Sequence, residues 1–293
     1  MPAVKFPTLR GRGLRPSTLL ARTGWRSRPQ RVSRSRLARF IQEADRHPAP
    51  GLPAEAPRSL ALVVPCYGHA AYIPRMLESI AAQTRRPDEV ILIDDCSPDN
   101  SGDLLRSFVD AGERPPGMCF RLLVNDRNLG QAASLNRGIS MASSDLIMIL
   151  NDDDYLMHDA VESMLALFAQ HRDVALIGAT CVVFSGDDAL STAAKISTAH
   201  AIPGLPLRFY RPEDVPAYRH PNDLNMTHSS SCFYKAAWSA VGGYRTAKKK
   251  RVVPFSDRDF QIRVNALWPV AVADRTPYAF WRSDSSVDNG LDS

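Results

Sequence analysis

The hydrophobic pattern changes abruptly near residue 59, and from there two kinds of segment alternate. Short apolar runs bounded by turn residues predict buried strands, whereas the segments between them place apolar residues at helical spacing. The first unit shows both kinds: residues 59–67 (SLALVVPCY) predict a strand ended by Pro65, and residues 72–84 (YIPRMLESIAAQT) predict a helix.

The same unit recurs along the first half of the chain. Strand-like runs follow at residues 89–95, 120–126 and 145–154, with helical patterns at 101–112 and 131–142. Continuous apolar runs separated by helices are typical of a parallel sheet covered on both faces. The predicted fold class is therefore α/β, with a Rossmann-like, mainly parallel sheet and helices on both faces.

The second half is less regular. A helix is predicted at residues 160–171, a strand at 174–184, and helices at 234–244 and 256–268. Between them, the Pro-punctuated stretch 197–231 is too long for a simple connection, and we interpret it as a candidate binding loop.

Charge divides the chain into two parts of opposite sign. Residues 1–58 carry 13 Lys and Arg against three acidic residues, a charge of +10, so residues 59–293 carry 23 against 28, or −5. The Pro-, Arg- and Ser-rich leader favours disorder, with a short amphipathic helix at Leu37, Phe40 and Ile41. Two interpretations stay open: the leader contacts an anionic lipid surface, or it is a solvated tail. The acidic body argues against a nucleic-acid binder.

Cysteine usage and hydropathy indicate the compartment. The five cysteines form no CxxC pair and are odd in number, which argues against a disulfide framework and for a reducing environment. No apolar stretch approaches the roughly 20 residues needed to cross a bilayer, and no apolar segment follows the first basic residues. We therefore expect a cytoplasmic protein, peripheral at the inner face of the cell membrane if the leader binds lipid.

Acidic side chains follow two predicted strands at the point where each strand ends. Asp94 and Asp95 close one strand, and an acidic triplet, residues 152–154, follows another. Ligands bind such sheets at the carboxyl ends of the strands, beside the point where strand order reverses. Three adjacent carboxylates are tolerable either in water at the start of a helix or around a divalent cation.

Six segments occur in order and with consistent spacing between about Ser59 and Val287: VVPCYGHAAYIPRMLESIAAQT, EVILIDDCSPDNS, NLGQAASLNRGI, DLIMILNDDDYL, AVGGY and SDRDFQIRV. Together they resemble the inverting glycosyltransferases of family 2, which have the GT-A nucleotide-sugar-binding fold. The resemblance implies a nucleotide-binding half (59–156), a smaller acceptor-binding half (157–287) and a short tail (288–293).

Matched position by position, the resemblance implies a nucleotide pocket built from strand ends. Pro65 and Tyr67 would frame the nucleobase. Asp95, together with Asp94, would hydrogen-bond the base or its ribose.

The resemblance also implies a closing turn and a cation site. Asn128 and Gly130 would close the pocket, Asp153 would bind the cation, and Asp152 would contact the ribose or join the cation's ligands. Mn²⁺ or Mg²⁺ is the implied cofactor, because hard cations prefer carboxylate and phosphate oxygens and stabilise a leaving diphosphate. Asp154 is expected only to occupy the turn into the following helix.

Asp257 aligns with the acid that activates the acceptor in these enzymes. Inversion is a single displacement, so one base must take the proton of the acceptor hydroxyl. A helix N-terminus would position Asp257 firmly, although an ordinary aspartate of the first turn occupies the same place. Asp259 is expected to point elsewhere. Ser256 departs from the pattern, since many members have Glu there.

Further cationic and polar residues are candidates for contact with the diphosphate or the acceptor. Those near the predicted base are as compatible with a solvated loop, and a lone histidine is more often structural. The candidates are His228, Lys248, Lys249, Lys250, Arg251, Arg263 and Arg282.

The hypothesis is transfer of a sugar from a nucleotide-diphosphate donor, with UDP as the default nucleotide, to a hydroxyl of a glycan or lipid-linked acceptor, as in polysaccharide biosynthesis at the cell envelope. The alternative is a catalytically inactive protein of the same fold that binds nucleotide sugars as a scaffold or regulator, motivated by Ser256. The resemblance implies no particular oligomeric state.

Overall fold

The structure is a computed structural model, and it describes residues 34–44, 49–110, 118–184, 206–217, 224, 226–246 and 256–282. The helices are α1 (Arg34–Ala44), α2 (Ile73–Ala81), α3 (Ser101–Asp110), α4 (Gln131–Met141), α5 (Ala160–Gln170), α6 (Lys235–Ala240) and α7 (Ser256–Asn265), with a 3₁₀ turn at Pro212–Ala217. The strands are β1 (Leu60–Cys66), β2 (Glu89–Asp94), β3 (Cys119–Val124), β4 (Leu146–Ile149), β5 (Tyr155–Leu156), β6 (Leu176–Phe184), β7 (Arg208–Tyr210), β8 (Cys232–Tyr234) and β9 (Val270–Arg282).

The described strands form one sheet in the order β3-β2-β1-β4-β8-β6-β9-β5, with β7 also paired to β9. Among β1 to β4, every pair of neighbouring strands is parallel, and β6 is parallel to β9. Strands β5, β7 and β8 run antiparallel to their partners. The predicted α/β class with a mainly parallel sheet is confirmed.

Strand order reverses beside β1, where β2 and β3 lie on one side and β4 on the other. Strands β1, β2 and β4 are buried along their whole length, as their continuous apolar runs predict. β1 continues one residue beyond Pro65 to Cys66, so the predicted end was one residue early. The carboxyl ends of β1, β2 and β4 therefore share one edge of the sheet.

The predicted candidate binding loop, residues 197–231, contains regular structure in its described part. β7 and the 3₁₀ turn occupy residues 208–217. Strand β8 follows the loop and runs antiparallel between β4 and β6. The start of β8 consequently lies beside the end of β4, where the Ile149 N–H donates to the Ser231 carbonyl (3.0 Å) and the Ser230 N–H to the Ile149 carbonyl (2.8 Å).

The last strand, β9, has no counterpart among the predicted elements. Its apolar run is interrupted by Asp274, Arg275 and Pro277, and its pairing with β6 shifts register at Ala179 and Thr180. Because the hydrophobic pattern is broken where the register shifts, the sequence does not read as one continuous strand.

The amphipathic helix predicted in the leader is confirmed as α1. Phe40 and Ile41 pack against the hydrophobic core, while Arg39 is exposed. Further along, the Trp268 indole N–H donates to the Pro50 carbonyl (2.9 Å). This part of the leader therefore belongs to the folded domain. The side chain of Leu37 and residues 1–33 and 45–48 lie outside the described part. None of the described helices combines the length and apolar character needed to span a membrane.

Candidate active site

Asp152 fastens the loop after β1 to the end of β4. Its Oδ2 accepts the Tyr67 backbone N–H (2.9 Å), and its Oδ1 lies 2.9 Å from His69 Nδ1. Asp152 is 5% exposed. Tyr67, the residue expected to frame a nucleobase, is partly exposed at the same edge, whereas Pro65 is buried within β1.

His69, Asp152 and Asp153 form a cluster of potential cation ligands. Each offers one atom, and these atoms lie within 4.8 Å of one another. Two carboxylates and an imidazole fit a hard or borderline divalent cation such as Mn²⁺ or Mg²⁺. His69 was not predicted, because a histidine two residues beyond Tyr67 carries no signal until the loop brings it to Asp152.

Asp154 differs from its two neighbours in the triplet. It is fully buried and accepts hydrogen bonds from the Ser229 hydroxyl, the Asn151 amide (3.3 Å) and the Arg282 backbone N–H (3.0 Å). Burial, followed by the charge of Asp153, raises the pKa of Asp154 well above its usual value. The expectation that Asp154 only occupies a turn was incomplete, because this carboxyl joins the ends of β4 and β9 to the loop before β8.

The Cys66 thiol, at the end of β1, lies among buried acidic side chains. Cys66 is buried beside Asp94 in the register of β1 and β2. Burial raises its pKa well above the usual value, and Asp152, Asp94 and Asp153 raise it further, in that order after burial. Carboxylates from β2 and from the turn after β4 therefore converge on the end of β1.

Asp94 and Asp95 use their carboxylates within the protein. Asp94 accepts the Ser97 backbone N–H (3.0 Å). Asp95 accepts the Asn125 amide (2.7 Å) and the backbone N–H groups of Leu129 (2.8 Å) and Gly130 (2.7 Å). Asp95 thus holds the turn that was expected to close the pocket, and its contact with a base or ribose stays a prediction.

The turn held by Asp95 requires glycine at its end. Gly130 has φ +84°, a left-handed value that favours glycine, and precedes α4. Asn128 is partly buried, and its Oδ1 is a buried oxygen that no donor reaches among the described residues. A ligand donor at this position would satisfy it.

A second loop, residues 97–101, supports the loop after β1. The Ser97 hydroxyl accepts the Gly68 N–H (3.2 Å), and Asp99 Oδ2 accepts the Ala70 N–H (3.0 Å). Burial alone would raise the pKa of Asp99, but hydrogen bonds from Ser101 and Ala70 outweigh it and lower that pKa. Ser97 and Asp99 therefore position the residues that carry Tyr67 and His69.

The predicted base, Asp257, lies in the first turn of α7 and is partly exposed. No hydrogen bond or ion pair holds its carboxylate in the described part of the chain. The charge of Asp257 acts on two groups, His228 and Tyr244. Burial lowers the pKa of His228 and raises that of Tyr244, while the charge of Asp257 raises both.

His228 and Tyr244 form a pair beside that carboxylate. His228 Nε2 lies 3.1 Å from the Tyr244 hydroxyl, and the Tyr244 ring stacks on Phe260 of α7. Burial raises the pKa of Tyr244, so its hydroxyl stays protonated, and the tautomer of the imidazole decides which of the two groups donates. The structure thus places His228 beside the predicted base.

Tyr244 is itself fixed by Asn136 of α4. The Asn136 amide donates to the Tyr244 carbonyl (2.7 Å), and its oxygen accepts the Tyr244 N–H (2.8 Å) and the Trp238 indole N–H (3.2 Å). One side chain of α4 therefore holds the GGY turn that follows α6.

Asp259 and Arg263 form a buried ion pair on α7. Asp259 accepts Arg263 Nε (2.8 Å) and an Arg245 guanidinium N–H (2.7 Å), and Arg263 also donates to the carbonyls of Val241 and Gly243. Arg263 is 1% exposed. The expectation that Arg263 contacts a diphosphate or acceptor is therefore corrected, because its donors bind the protein. Asp259 is held by Arg263 and Arg245, and whether it points elsewhere than Asp257 stays a prediction.

Arg282, at the end of β9, reaches the same edge of the sheet as the triplet. Its guanidinium lies over the rings of Tyr72 (4.2 Å) and Phe184 (4.7 Å) and donates to the Tyr155 hydroxyl (3.3 Å). It is 5% exposed, so it supports this edge of the sheet from within. Its contact with a diphosphate stays a prediction. Lys248, Lys249, Lys250 and Arg251 lie outside the described residues.

The mainly parallel sheet flanked by helices is the architecture of the GT-A glycosyltransferases. The family model for glycosyl transferase family 2 matches residues 61–232, more than half of the chain. The chain belongs to glycosyltransferase family 2.

Individual relatives agree with this assignment. An undecaprenyl-phosphate 4-deoxy-4-formamido-L-arabinose transferase from Serratia proteamaculans is 34% identical over 99 residues, which are 33% of this chain and 29% of that protein. The aligned segments span about a third of the length of the curated relatives.

Solved structures share the fold. S. aureus TarS 1-349 in complex with UDP-GlcNAc aligns with a TM-score of 0.60 at 13% identity, covering 80% of this chain and 61% of that one. The mannosyltransferase PcManGT from Pyrobaculum calidifontis, in complex with GDP-Man and Mn²⁺, aligns with a TM-score of 0.50 at 17% identity, covering 82% and 65%.

Proposed function

We propose that this glycosyltransferase moves a sugar from a UDP-sugar to a hydroxyl of a glycan or lipid-linked acceptor, in a metal-dependent single displacement that inverts the anomeric centre. The observation that carries the proposal is the acidic crevice at the ends of β1, β2 and β4, with His69, Asp152 and Asp153 clustered in it. Such a crevice favours a ligand that brings a cation, which a sugar diphosphate does.

The donor would lie along this edge of the sheet. Tyr67 and the turn at Asn128 and Gly130 flank the crevice and would hold the base and ribose, while Asp153 would hold the cation on the diphosphate. TarS was solved with UDP-GlcNAc, which supports UDP as the nucleotide. A divalent cation, when bound, stabilises the negative charge that grows on the leaving diphosphate.

Asp257 would be the general base. Its carboxylate is partly exposed and holds no hydrogen bond among the described residues, so it can accept the proton of an incoming hydroxyl. His228 and Tyr244 would line the path of that hydroxyl and remain neutral. No covalent nucleophile is needed, because a single displacement forms the new glycosidic bond as the diphosphate departs.

A lipid-linked acceptor would be met at a membrane surface. The leader segment 1–33 carries eight Lys and Arg and no acidic residue, so it would bind an anionic leaflet electrostatically. The name of the Serratia relative contains undecaprenyl phosphate, a lipid carrier, which supports an acceptor of this kind. Co-sedimentation with anionic vesicles should fall when residues 1–33 are deleted, and unchanged binding would remove this part of the proposal.

Release of nucleotide tests the function. The full chain should release UDP from one or more UDP-sugars with Mn²⁺ present and stop when EDTA removes the metal, and the anomeric configuration of the product should be opposite to that of the donor. Binding of UDP and Mn²⁺ without any turnover across donors and acceptors would instead favour the inactive scaffold. Retention of configuration would contradict the single displacement.

A further inference from the structure

We propose that His69 is a direct ligand of the divalent cation, so that the metal site contains one imidazole nitrogen beside Asp152 and Asp153. This inference rests on the proposed donor site and adds a protein ligand from the loop after β1 to the carboxylates after β4. It also explains why the first carboxylate of the triplet is tied to that loop.

The spacing of the ligand atoms suits one cation. Two ligands at right angles around an octahedral ion with bonds of about 2.1 Å lie about 3.0 Å apart. His69 Nδ1 and Asp152 Oδ1 lie 2.9 Å apart, and all three ligand atoms, including that of Asp153, fall within 4.8 Å of one another. The imidazole and the carboxylate would therefore hold one cation when it replaces the proton between Nδ1 and Oδ1 and the neutral ring keeps its proton on Nε2.

The third carboxylate of the triplet does not compete for this place. Asp154 is buried and already accepts hydrogen bonds from Ser229, Asn151 and Arg282. Asp152, by contrast, keeps Oδ2 on the Tyr67 N–H while Oδ1 faces His69. One carboxylate can thus bind a cation through Oδ1 and still hold the loop through Oδ2.

The imidazole is placed by packing as well as by Asp152. The ring centroids of His69 and Tyr72 lie 5.7 Å apart, and the Arg282 guanidinium lies over the Tyr72 ring. The backbone on either side of His69 is held by Ser97 and Asp99, through Gly68 and Ala70. A ligand on a loop anchored at both ends loses little freedom when the cation binds.

The proposal has a chemical consequence for cation preference. Imidazole suits transition metals, whereas Mg²⁺ prefers oxygen ligands and keeps its waters. His69 therefore favours Mn²⁺ over Mg²⁺. Because Asp152 also holds Tyr67, cation binding and binding of the base become coupled.

Pulsed electron paramagnetic resonance of Mn²⁺ bound to the full chain with UDP tests the inference without reference to catalysis. We expect a nitrogen hyperfine coupling that changes when histidine is labelled with ¹⁵N and disappears in His69→Gln. The Gln side chain retains a donor for Asp152. We also expect Mn²⁺ affinity to fall about tenfold or more, with a smaller fall for Mg²⁺.

Two matched variants assign the nitrogen. His228→Gln removes the histidine beside Asp257, and His171→Gln removes one that packs against Phe209; both should retain the coupling. A coupling that is absent in the wild type, that persists in His69→Gln, or that disappears in His228→Gln overturns the assignment. Should His69→Gln fail to fold, the coupling is sought in His69→Asn, with the same expected and contrary results.

The outcomes separate this inference from the proposed function. Mn²⁺-dependent UDP release with a nitrogen-free Mn²⁺ spectrum would contradict the role of His69 and leave sugar transfer standing. UDP release that is unaffected by EDTA, with no Mn²⁺ bound, would contradict both the metal dependence and the ligand assignment.

Discussion

Two aspartates of α7, Asp257 and Asp259, are separated by a single residue but lie in different surroundings. Asp259 is 7% exposed and lies between Arg263 and Arg245, whereas Asp257 is partly exposed and has no hydrogen-bond partner in the described segments. The same side chain therefore serves folding at one position and is available for chemistry at the other.

The substitution Asp257→Asn should abolish sugar transfer and leave UDP affinity and stability nearly unchanged, because the amide cannot accept the acceptor proton and no hydrogen bond of the described residues is lost. Initial rates and UDP binding by calorimetry would check this. A variant that retains activity refutes the role as base.

Asp259→Asn is the matched control, and it should lower the free energy of unfolding by about 3 kcal/mol, since it leaves the Arg263 charge buried without its carboxylate. Urea denaturation measures the effect. Equal stability of the two variants would show that the ion pair contributes little to folding.

The crevice residues show how a triplet of carboxylates becomes tolerable. Asp152 is bound by the loop after β1, Asp154 is buried among hydrogen bonds and has a raised pKa, and Asp153 lies between them in the cation-ligand cluster. The two interpretations of the triplet, solvated acids or a cation site, therefore do not apply equally to its three members.

At the scale of elements, the GGY turn after α6 is held against α4 by Asn136. Gly242 and Gly243 both have positive φ, +76° and +68°. A Cβ on Gly243 would lie 2.6 Å from Asn136 Oδ1 and 3.0 Å from the Trp238 ring, whereas one on Gly242 would meet nothing within 4 Å.

Gly243→Ala should therefore be more destabilising than Gly242→Ala. Both substitutions incur backbone strain of about 1 to 2 kcal/mol, and Gly243→Ala also displaces the Asn136 side chain, whose three hydrogen bonds each contribute about 1 kcal/mol. Thermal and urea unfolding of the two variants would show the difference, and equal midpoints would contradict the role of Asn136 in holding this turn.

Glu89, at the start of β2, holds the turn between α4 and β4. It accepts the N–H groups of Ser143 (2.9 Å) and Ser144 (2.7 Å) and the Ser144 hydroxyl (2.5 Å). Burial alone would raise the pKa of Glu89, but the hydrogen bonds from Ser144 and Ser143 outweigh it and lower the pKa.

Because the pKa of Glu89 is lower in the folded state, its contribution to stability is present above the unfolded value and is lost as pH falls through the folded one. Glu89→Gln should cost about 2 kcal/mol at pH 7 and progressively less below about pH 4. The exposed pair Glu78–Arg75 offers a control, since Glu78→Gln should change stability by less than about 0.5 kcal/mol. A cost at Glu89 that is independent of pH would rule out this linkage.

At the scale of the whole molecule, the described part of the leader packs against the domain. Phe40 and Ile41 of α1 pack on the core and Pro50 accepts the Trp268 indole, so the region from α1 onward is part of the folded unit. Deletion of residues 1–58 should lower the melting temperature by several degrees, while deletion of 1–33 leaves every described contact in place and should not. Differential scanning calorimetry would compare the two, and equal losses would contradict the packing of α1.

Ligand binding is also a property of the whole domain. If the proposed site is right, UDP with Mn²⁺ should raise the melting temperature more than either alone, because both would bind the folded crevice and the unfolded chain lacks it. A thermal-shift screen over UDP, GDP and dTDP would rank the nucleotides. Equal shifts with and without Mn²⁺ would argue against a shared site.

The apolar runs were sufficient to predict β1 to β4 and the helices between them, because a buried parallel strand must be apolar on both faces. The same pattern missed β9, where charged residues and Pro277 interrupt the run, and β5, β7 and β8, which are two or three residues long. Strands of that length have no periodicity to detect, and only the neighbouring strands define them.

The sequence by itself determined the class of fold, the edge at which acidic residues gather and the family, since all three follow from the order of residues along the chain. Only the tertiary structure decided the part played by each residue. Asp152 meets the Tyr67 N–H across 85 residues and Asp154 meets that of Arg282 across 128. Such contacts depend on the order of strands in the sheet. For that reason the sequence did not predict that His69 lies in the crevice or that Arg263 is buried.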